Sequence, residues 1–509
     1  MTETFLESGA PRVRFPSRER RGVLLGLTFA QVTLIGTAVA VTVVALWISP
    51  IVFYAVLVPA TLAVILGLSR IRRESLLLIG WQMARYMYRA VIGQTRFRRD
   101  VWARVATASI ELGTVRASEV LPEVIGRFLL PGPLGEIQLI QIPGSAGYSY
   151  DARSGLAAVT VQVEASAWAL RDPGAQEGSY QGFVDLLSGL ERDTGLVEAV
   201  ARVRVDRAST TEMIDYLRAR EETTNPQVSH ELKKQYYRLI SAGAHSSMAF
   251  TMYVTYVFNT HTISTLIKES GGGMTGLGKI LKARIATIGQ SLEHAGVRVQ
   301  SWLDAPALEL ALATATDPVA MAVQRERAAT GRTDNVQATP LMGIDEEWDS
   351  VRIDQTWHRT SWIAEWPRTE VNTGFLEPLL YGGEHSRVLT IQLRPIPLHK
   401  ALAEVERAQA DMESAAQIRL KLRSSPTVQH EREAEALQQR EEDLVDGYAD
   451  VSFRGFVTVS ADTEQALEAA QSQTVDASHQ ARVVLAPLFG QQAAALVAAA
   501  LPVGVKEGK

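Results

Sequence analysis

The chain opens with a long apolar stretch and continues in short alternating runs. From Gly22 to Ser69 no residue is charged, and the stretch is broken once, at Trp47-Ile48-Ser49-Pro50. A membrane-crossing helix needs about 20 apolar residues, so Gly22–Trp47 and Ile51–Leu68 predict a two-helix transmembrane hairpin. Arg12, Arg14, Arg18, Arg20 and Arg21 precede it, and Arg70, Arg72 and Arg73 follow it. Arginine beside a membrane segment resists translocation, so both termini are expected on the cytoplasmic side of a bacterial plasma membrane. A cleaved leader ending at Ala38-Val39-Ala40 competes with this reading, but the apolar run continues past that point into a second span.

Behind the hairpin, Glu74–Gln94 interleaves Leu77, Ile79, Trp81, Met83, Tyr86 and Tyr88 with Arg85 and Arg89. Such an elbow helix suits the lipid headgroup layer, with aromatic rings at the interface and arginines on phosphates. It suits a helix packed on a cytoplasmic body equally well. Arg96, Arg98 and Arg99 extend the basic collar. Its candidate lipid-facing residues are Arg70, Arg72, Arg73, Arg85, Arg89, Trp81 and Tyr86.

The remainder alternates strand and helix patterns, which predicts packed layers. Strands are expected at Glu136–Gln141, Ala157–Val163, Val200–Val205 and Ser247–Phe258, and helices near Tyr180–Leu190 and Thr211–Arg220. Leu277, Leu281, Ile285, Ile288 and Leu292 recur at helical spacing, and Val297-Arg298-Val299 closes a strand-helix-strand unit. A similar rhythm returns after the polar segment Arg325–Gln337. It brings strands at Ser361–Trp366, Arg387–Leu393, Val451–Val459 and Arg482–Leu485, with helices at Phe375–Tyr381 and Glu464–Ala477. Within this weak repeat, Pro397–Leu422 and Thr427–Asp446 are long charged helical segments. They are joined at Ser424-Ser425-Pro426, where proline ends the first.

The expected fold is therefore a membrane-anchored α/β (α+β) protein. Its basic N-terminus covers 1–21, the hairpin 22–69 and the juxtamembrane helix 70–100. Two cytoplasmic subdomains follow at 101–330 and 331–509, the second with a projecting helical hairpin at 397–446.

Charge sharpens this picture. Residues 1–100 hold 13 arginines, no lysine and 5 acidic residues, so the overall charge of −5 leaves the rest strongly acidic. Nucleic-acid binding needs basic stripes, and none is visible beyond residue 100. The chain has no cysteine, which excludes disulfides and thiolate metal sites.

Catalytic motifs are sparse. Gly273-Met274-Thr275-Gly276-Leu277-Gly278-Lys279-Ile280 falls one residue short of a phosphate-binding loop, because Ile280 cannot supply the magnesium-holding hydroxyl. A membrane-tethered nucleotide-binding protein using Gly273–Lys279 is the alternative function it raises. The nine histidines show no HExxH or His-x-His spacing. Asp345, Glu346, Glu347 and Asp349 lack calcium-loop spacing and read as a solvated turn. No catalytic, cofactor or metal residue is assigned, and no enzyme is expected.

Several motifs carry a resemblance. Phe15-Pro16 followed by Arg21-Gly22-Val23-Leu24-Leu25-Gly26-Leu27-Thr28-Phe29-Ala30-Gln31 resembles the small PrgI-like inner-membrane component of conjugative type IV secretion systems. Ile92-Gly93-Gln94-Thr95-Arg96-Phe97-Arg98 resembles the collar of actinobacterial conjugative-element membrane proteins. Glu365-Trp366-Pro367-Arg368, Gly374-Phe375-Leu376-Glu377-Pro378-Leu379-Leu380, Gly447-Tyr448, Phe456-Val457-Thr458-Val459-Ser460-Ala461, Gly490-Gln491-Gln492-Ala493-Ala494-Ala495-Leu496 and Ala500-Leu501-Pro502-Val503-Gly504 resemble the N-terminal, non-ATPase region of TraC/TrbE-type traffic ATPases. The resemblance implies a scaffold whose P-loop motor sits on a separate conjugative-transfer ATPase. Its other expected partners are the lipid bilayer and further channel subunits, in an oligomeric apparatus. A component of a type VII-like exporter is a further alternative.

Overall fold

A computed structural model describes residues 12–13, 29–68, 70–71, 74–98, 124–129, 136–165, 171–207, 230–244, 248–329, 341–367, 369, 371–372, 374–421 and 428–504. The expected helix at Thr211–Arg220 and the collar residues Arg72, Arg73 and Arg99 lie outside them.

Strand β1 (Arg12–Val13) precedes two apolar helices, α1 (Phe29–Ile48) and α2 (Pro50–Leu68), which pack on one another. Pro50 opens α2 where a missing N–H costs nothing. The hydroxyls of Thr37, Thr42 and Thr61 donate to carbonyls of their own helices, leaving apolar outer surfaces. Among the described residues, Gln31–Ile48 is long and apolar enough to cross a membrane, and Phe53–Leu62 is a shorter apolar stretch. A small ladder of β2 (Arg70–Ile71) with β3 (Glu74–Ser75) turns the chain into α3 (Leu76–Val91), followed by β4 (Arg96–Arg98).

The body is built twice on one plan. Its first half runs β5 (Val124–Leu129), β6 (Glu136–Gln141), β7 (Gly147–Asp151), β8 (Leu156–Ala165), α4 (Pro173–Arg192), β9 (Leu196–Arg207), α5 (His230–Ala244) and β10 (Met248–Asn259). It continues with α6 (Ser264–Glu269), α7 (Gly273–His294), β11 (Val297–Trp302), α8 (Ala305–Thr316) and α9 (Pro318–Ala329). The second half runs β12 (Gly343–Glu346), β13 (Val351–Ile353), β14 (Thr356–Glu365), β15 (Val371–Asn372), α10 (Glu377–Tyr381) and β16 (Ser386–Ile396). It ends with α11 (Leu398–Lys421), α12 (Val428–Val445), β17 (Asp450–Ala461), α13 (Glu464–Gln480), β18 (Val484–Pro487) and α14 (Gln492–Ala500).

In space the first half orders its strands β11-β8-β10-β9, and the second β18-β14-β17-β16. Each is the strand order of a β-α-β-β-α-β split unit, the ferredoxin-like arrangement. Every described strand pair is antiparallel. The body is thus α+β with one large antiparallel sheet. The strand-helix-strand unit read around Val297 crosses over β8 instead of placing β10 beside β11, which is why neighbours run antiparallel.

The halves join edge to edge through β9 and β16, making a sheet of 14 strands among the described residues. Equivalent threonines mark the repeat: Thr160 bonds Thr255 at 3.0 Å across β8 and β10, and Thr360 bonds Thr458 at 2.9 Å across β14 and β17. After β11 and β18, Leu303 N–H donates to Thr160 O and Leu488 N–H to Thr360 O. Val200 lies opposite Thr255 and Val388 opposite Thr458, and Val200 pairs Gln392 while Arg204 pairs Val388. That register has local two-fold symmetry, with its axis between Arg202 and Thr390.

Helices cover both faces. On one, α4 and α7 pack over Val161, Tyr256 and Phe258, while α10 and α13 pack over Leu389 and Val457. On the other, α8 and α14 bury Leu308, Leu312, Leu496 and Val497 against Leu139 and Val388. Registers place Val351, His358, Ser460 and Ser386 in one row, with Arg387, Val205 and Phe250 in the next. The turn after β12, the exit of β9 and the start of β10 therefore share one edge of the sheet. The α11–α12 hairpin leaves from the opposite edge, where Ile396 pairs Asp450. Its seam is apolar at the base, where Ala401, Val405 and Leu444 are buried.

Candidate membrane collar

The elbow helix α3 has two faces. Gln82, Tyr86 and Arg89 face inward at helical spacing and are partly buried. Trp81, Met83, Met87, Tyr88 and Val91 face out, with Trp81 68% and Val91 85% exposed. The helix thus packs on the body with one side and leaves aromatic and apolar side chains exposed on the other.

The inward side makes a polar joint. The Arg89 guanidinium pairs with Glu346 at the end of β12 and donates to Gly490 O at 3.0 Å. Tyr86 donates its hydroxyl to Glu346 O at 3.2 Å, and its ring meets Trp348 edge-on at 5.4 Å. Trp348 stacks on Phe489 at 5.5 Å, and its carbonyl accepts from Gly490 N–H at 2.6 Å. Gly490 has φ +64, and a Cβ there would press on Trp348 and Tyr86, so glycine suits both the turn and the contact.

Glu346 is the hub. It is 5% exposed, its other oxygen accepts from Ala493 N–H at 3.1 Å in the first turn of α14, and burial raises its pKa against the opposing pull of Arg89. A carboxylate at a helix N-terminus also meets the positive end of the helix dipole. Burial, then the nearby Glu346 charge, raises the Tyr86 phenol as well. The neighbouring acids do structural work too: Asp345 takes Arg98 at 2.7 Å and Asp349 takes Arg359 at 2.7 Å. The segment read as a solvated turn is therefore a short strand and a turn that seat the collar. Ile344 and Glu346, two apart and both buried, are the alternation that signals it.

Of the collar residues, Trp81 and Arg85 lie on exposed positions of α3, Tyr86 and Arg89 bond the body, and Arg70 lies in the β2–β3 ladder. The α14 segment continues inward from this joint. At its far end, carbonyls of Ala498 and Ala499 accept from Arg202, Thr390 and Gln392 at the centre of the sheet.

The glycine motif is laid out differently from a phosphate cradle. Gly272 caps α7 with φ +73, and Gly276, Leu277 and Gly278 are buried inside the helix. A Cβ at Gly276 would run into the Ile267 carbonyl, so its glycine lets α6 and α7 touch. His358 is a core residue: Nε2 lies 2.7 Å from Thr316 O and Nδ1 2.8 Å from Ser460 Oγ, and burial pulls its pKa down to about 4.

No protein-family model matches the chain, and no curated protein matches it.

Proposed function

We propose that the chain is a cytoplasmic-membrane scaffold of a conjugative DNA-transfer or type IV-like secretion apparatus. In this reading α1 and α2 form a two-pass anchor, the collar rests on lipid, and the acidic body docks a separate P-loop ATPase beside other channel subunits. The observation that carries the anchoring is the pairing of Arg12 and Val13, ahead of α1, with Asn372 and Val371 in the body behind α2. Residues in one ladder lie on one side of any membrane, so the crossings between them are even in number. This supports α2 as the second crossing beside α1, with both ends on the arginine-rich side.

Docking is supported by the α11–α12 hairpin, which leaves the sheet edge opposite the collar with charged outer faces. The link to conjugative transfer rests on the resemblance of the collar, the Glu365–Leu380 region and the Gly490–Gly504 end to that family.

Gentle detergent extraction with a C-terminal tag tests the reading. A P-loop ATPase is expected to copurify, and deleting Pro397–Asp446 with a short linker is expected to weaken that association while the body stays folded. Recovery of lipid and unrelated proteins alone overturns the docking.

A further inference from the structure

Helix α5 occupies the β9–β10 connection of the first repeat, the place that the α11–α12 hairpin takes in the second. Leu232, Tyr236 and Leu239 recur on it at i, i+4 and i+7, and all three are exposed, at 62%, 55% and 73%. That spacing puts them on one stripe. The helix carries Lys233, Lys234 and Arg238 against the single acid Glu231, in a region of the chain that is otherwise acidic. It springs from the same sheet edge as the turn that holds Tyr86 and Arg89, and α3 shows the same design of outward tyrosine and aliphatic side chains beside arginine. A stripe of Leu and Tyr on one face, with Lys234 and Arg238 on the opposite, polar face, is the composition of a helix lying in a lipid interface.

We propose that α5 is a second membrane contact, seated on the anionic surface of the cytoplasmic leaflet. The proposal rests on the reading of α1 and α2 as the anchor. It gives the body two points of attachment, α3 below the second repeat and α5 below the first. With both in place the body cannot swivel about the α2–α3 connection, and the α11–α12 hairpin keeps a fixed direction away from the bilayer. Phosphatidylglycerol-type headgroups supply the complementary charge, worth the most at low ionic strength.

The absence of native cysteine makes the test clean. The full chain carrying Leu239→Cys, labelled with an environment-sensitive fluorophore, is reconstituted in vesicles of phosphatidylcholine alone or with phosphatidylglycerol. Leu46→Cys in α1 serves as the anchor control. The expected result is a blue-shifted Leu239-site emission quenched by spin-labelled lipid when phosphatidylglycerol is present, and loss of both signals in the Lys234→Glu/Arg238→Glu variant. A water-like emission in both vesicle types, or a blue shift without lipid quenching, overturns the proposal and in the second case gives the stripe to a protein neighbour. If the Leu46 site escapes quenching, the anchor itself has failed; if only the Leu239 site does, the anchor stands and α5 falls.

Discussion

Arg202 and Thr390 face each other across the junction of the two repeats and share one acceptor, the Ala499 carbonyl, at 2.9 and 2.7 Å. That carbonyl belongs to the last turn of α14, whose final C=O groups have no partner within the helix. The local symmetry axis is thus also where the C-terminal helix is tied down. Arg202 is fully buried, and burial pulls its guanidinium down to about 10, so it stays charged at neutral pH and complements the negative end of α14.

Arg202→Met is expected to destabilise the body by about 2–4 kcal/mol, because the carbonyls of Ala498 and Ala499 lose a charged donor inside the core. Arg202→Lys should recover little, since one ammonium cannot reproduce the forked contacts. Urea unfolding of the purified chain checks both; wild-type midpoints would remove Arg202 from this role.

The threonine pair of the second repeat allows a double-mutant cycle. Thr360→Val or Thr458→Val alone leaves a buried hydroxyl unpaired and should cost about 1–2 kcal/mol. The double variant replaces both partners and should cost less than the sum. Strict additivity in denaturation would show that the 2.9 Å contact contributes nothing.

His358 predicts an acid limb. Its folded pKa, about 4, lies below the ordinary imidazole value of 6.5, so the unfolded chain takes the proton first as pH falls. Stability is complete above about pH 6.5 and declines toward pH 4, by up to about 3 kcal/mol for this group. His358→Gln should flatten that stretch of the stability profile, and an unchanged slope between pH 6.5 and 4 would assign it to other groups.

Removing the cation at the collar should loosen α3. In Arg89→Ala, Glu346 keeps its buried site without its charge partner, and its already raised pKa climbs further. Hydrogen exchange of α3, corrected for intrinsic rates, should quicken most at neutral pH and less in mild acid, where the carboxyl is neutral. Equal protection in both proteins at neutral pH would show that the aromatic contacts with Trp348 suffice.

Val13 and Val371 are direct neighbours in the β1–β15 ladder. Val13→Cys with Val371→Cys should form a disulfide under mild oxidation of intact membranes, visible as a shift in non-reducing electrophoresis. No bond under conditions that cross-link a control pair in the body would separate the N-terminus from that face and remove the even-crossing constraint.

Much of this protein was readable from local pattern. Glu136–Gln141 is a strand at the expected residues, the Leu277–Leu292 spacing marks α7, and the two charged segments are the separate helices α11 and α12. Period and breakers act over a few residues, and sequence carries them openly. The pairings of Glu346, Trp348, Gly490 and Arg202 carried no such signal. Their roles depend on partners hundreds of positions away: Arg89 with Glu346, Arg202 with Ala499. The β9–β16 seam is of the same kind. Each strand alone reads as an alternating run, and only the paired register reveals two equivalent units meeting about an axis. The sequence by itself determined the type and approximate place of many helices and strands, which segment is apolar enough for a bilayer, and that the first hundred residues are basic. Tertiary structure decided which strands are neighbours, which charges are buried together and which face of α3 turns outward, because burial and pairing belong to contacts that the folded chain alone creates.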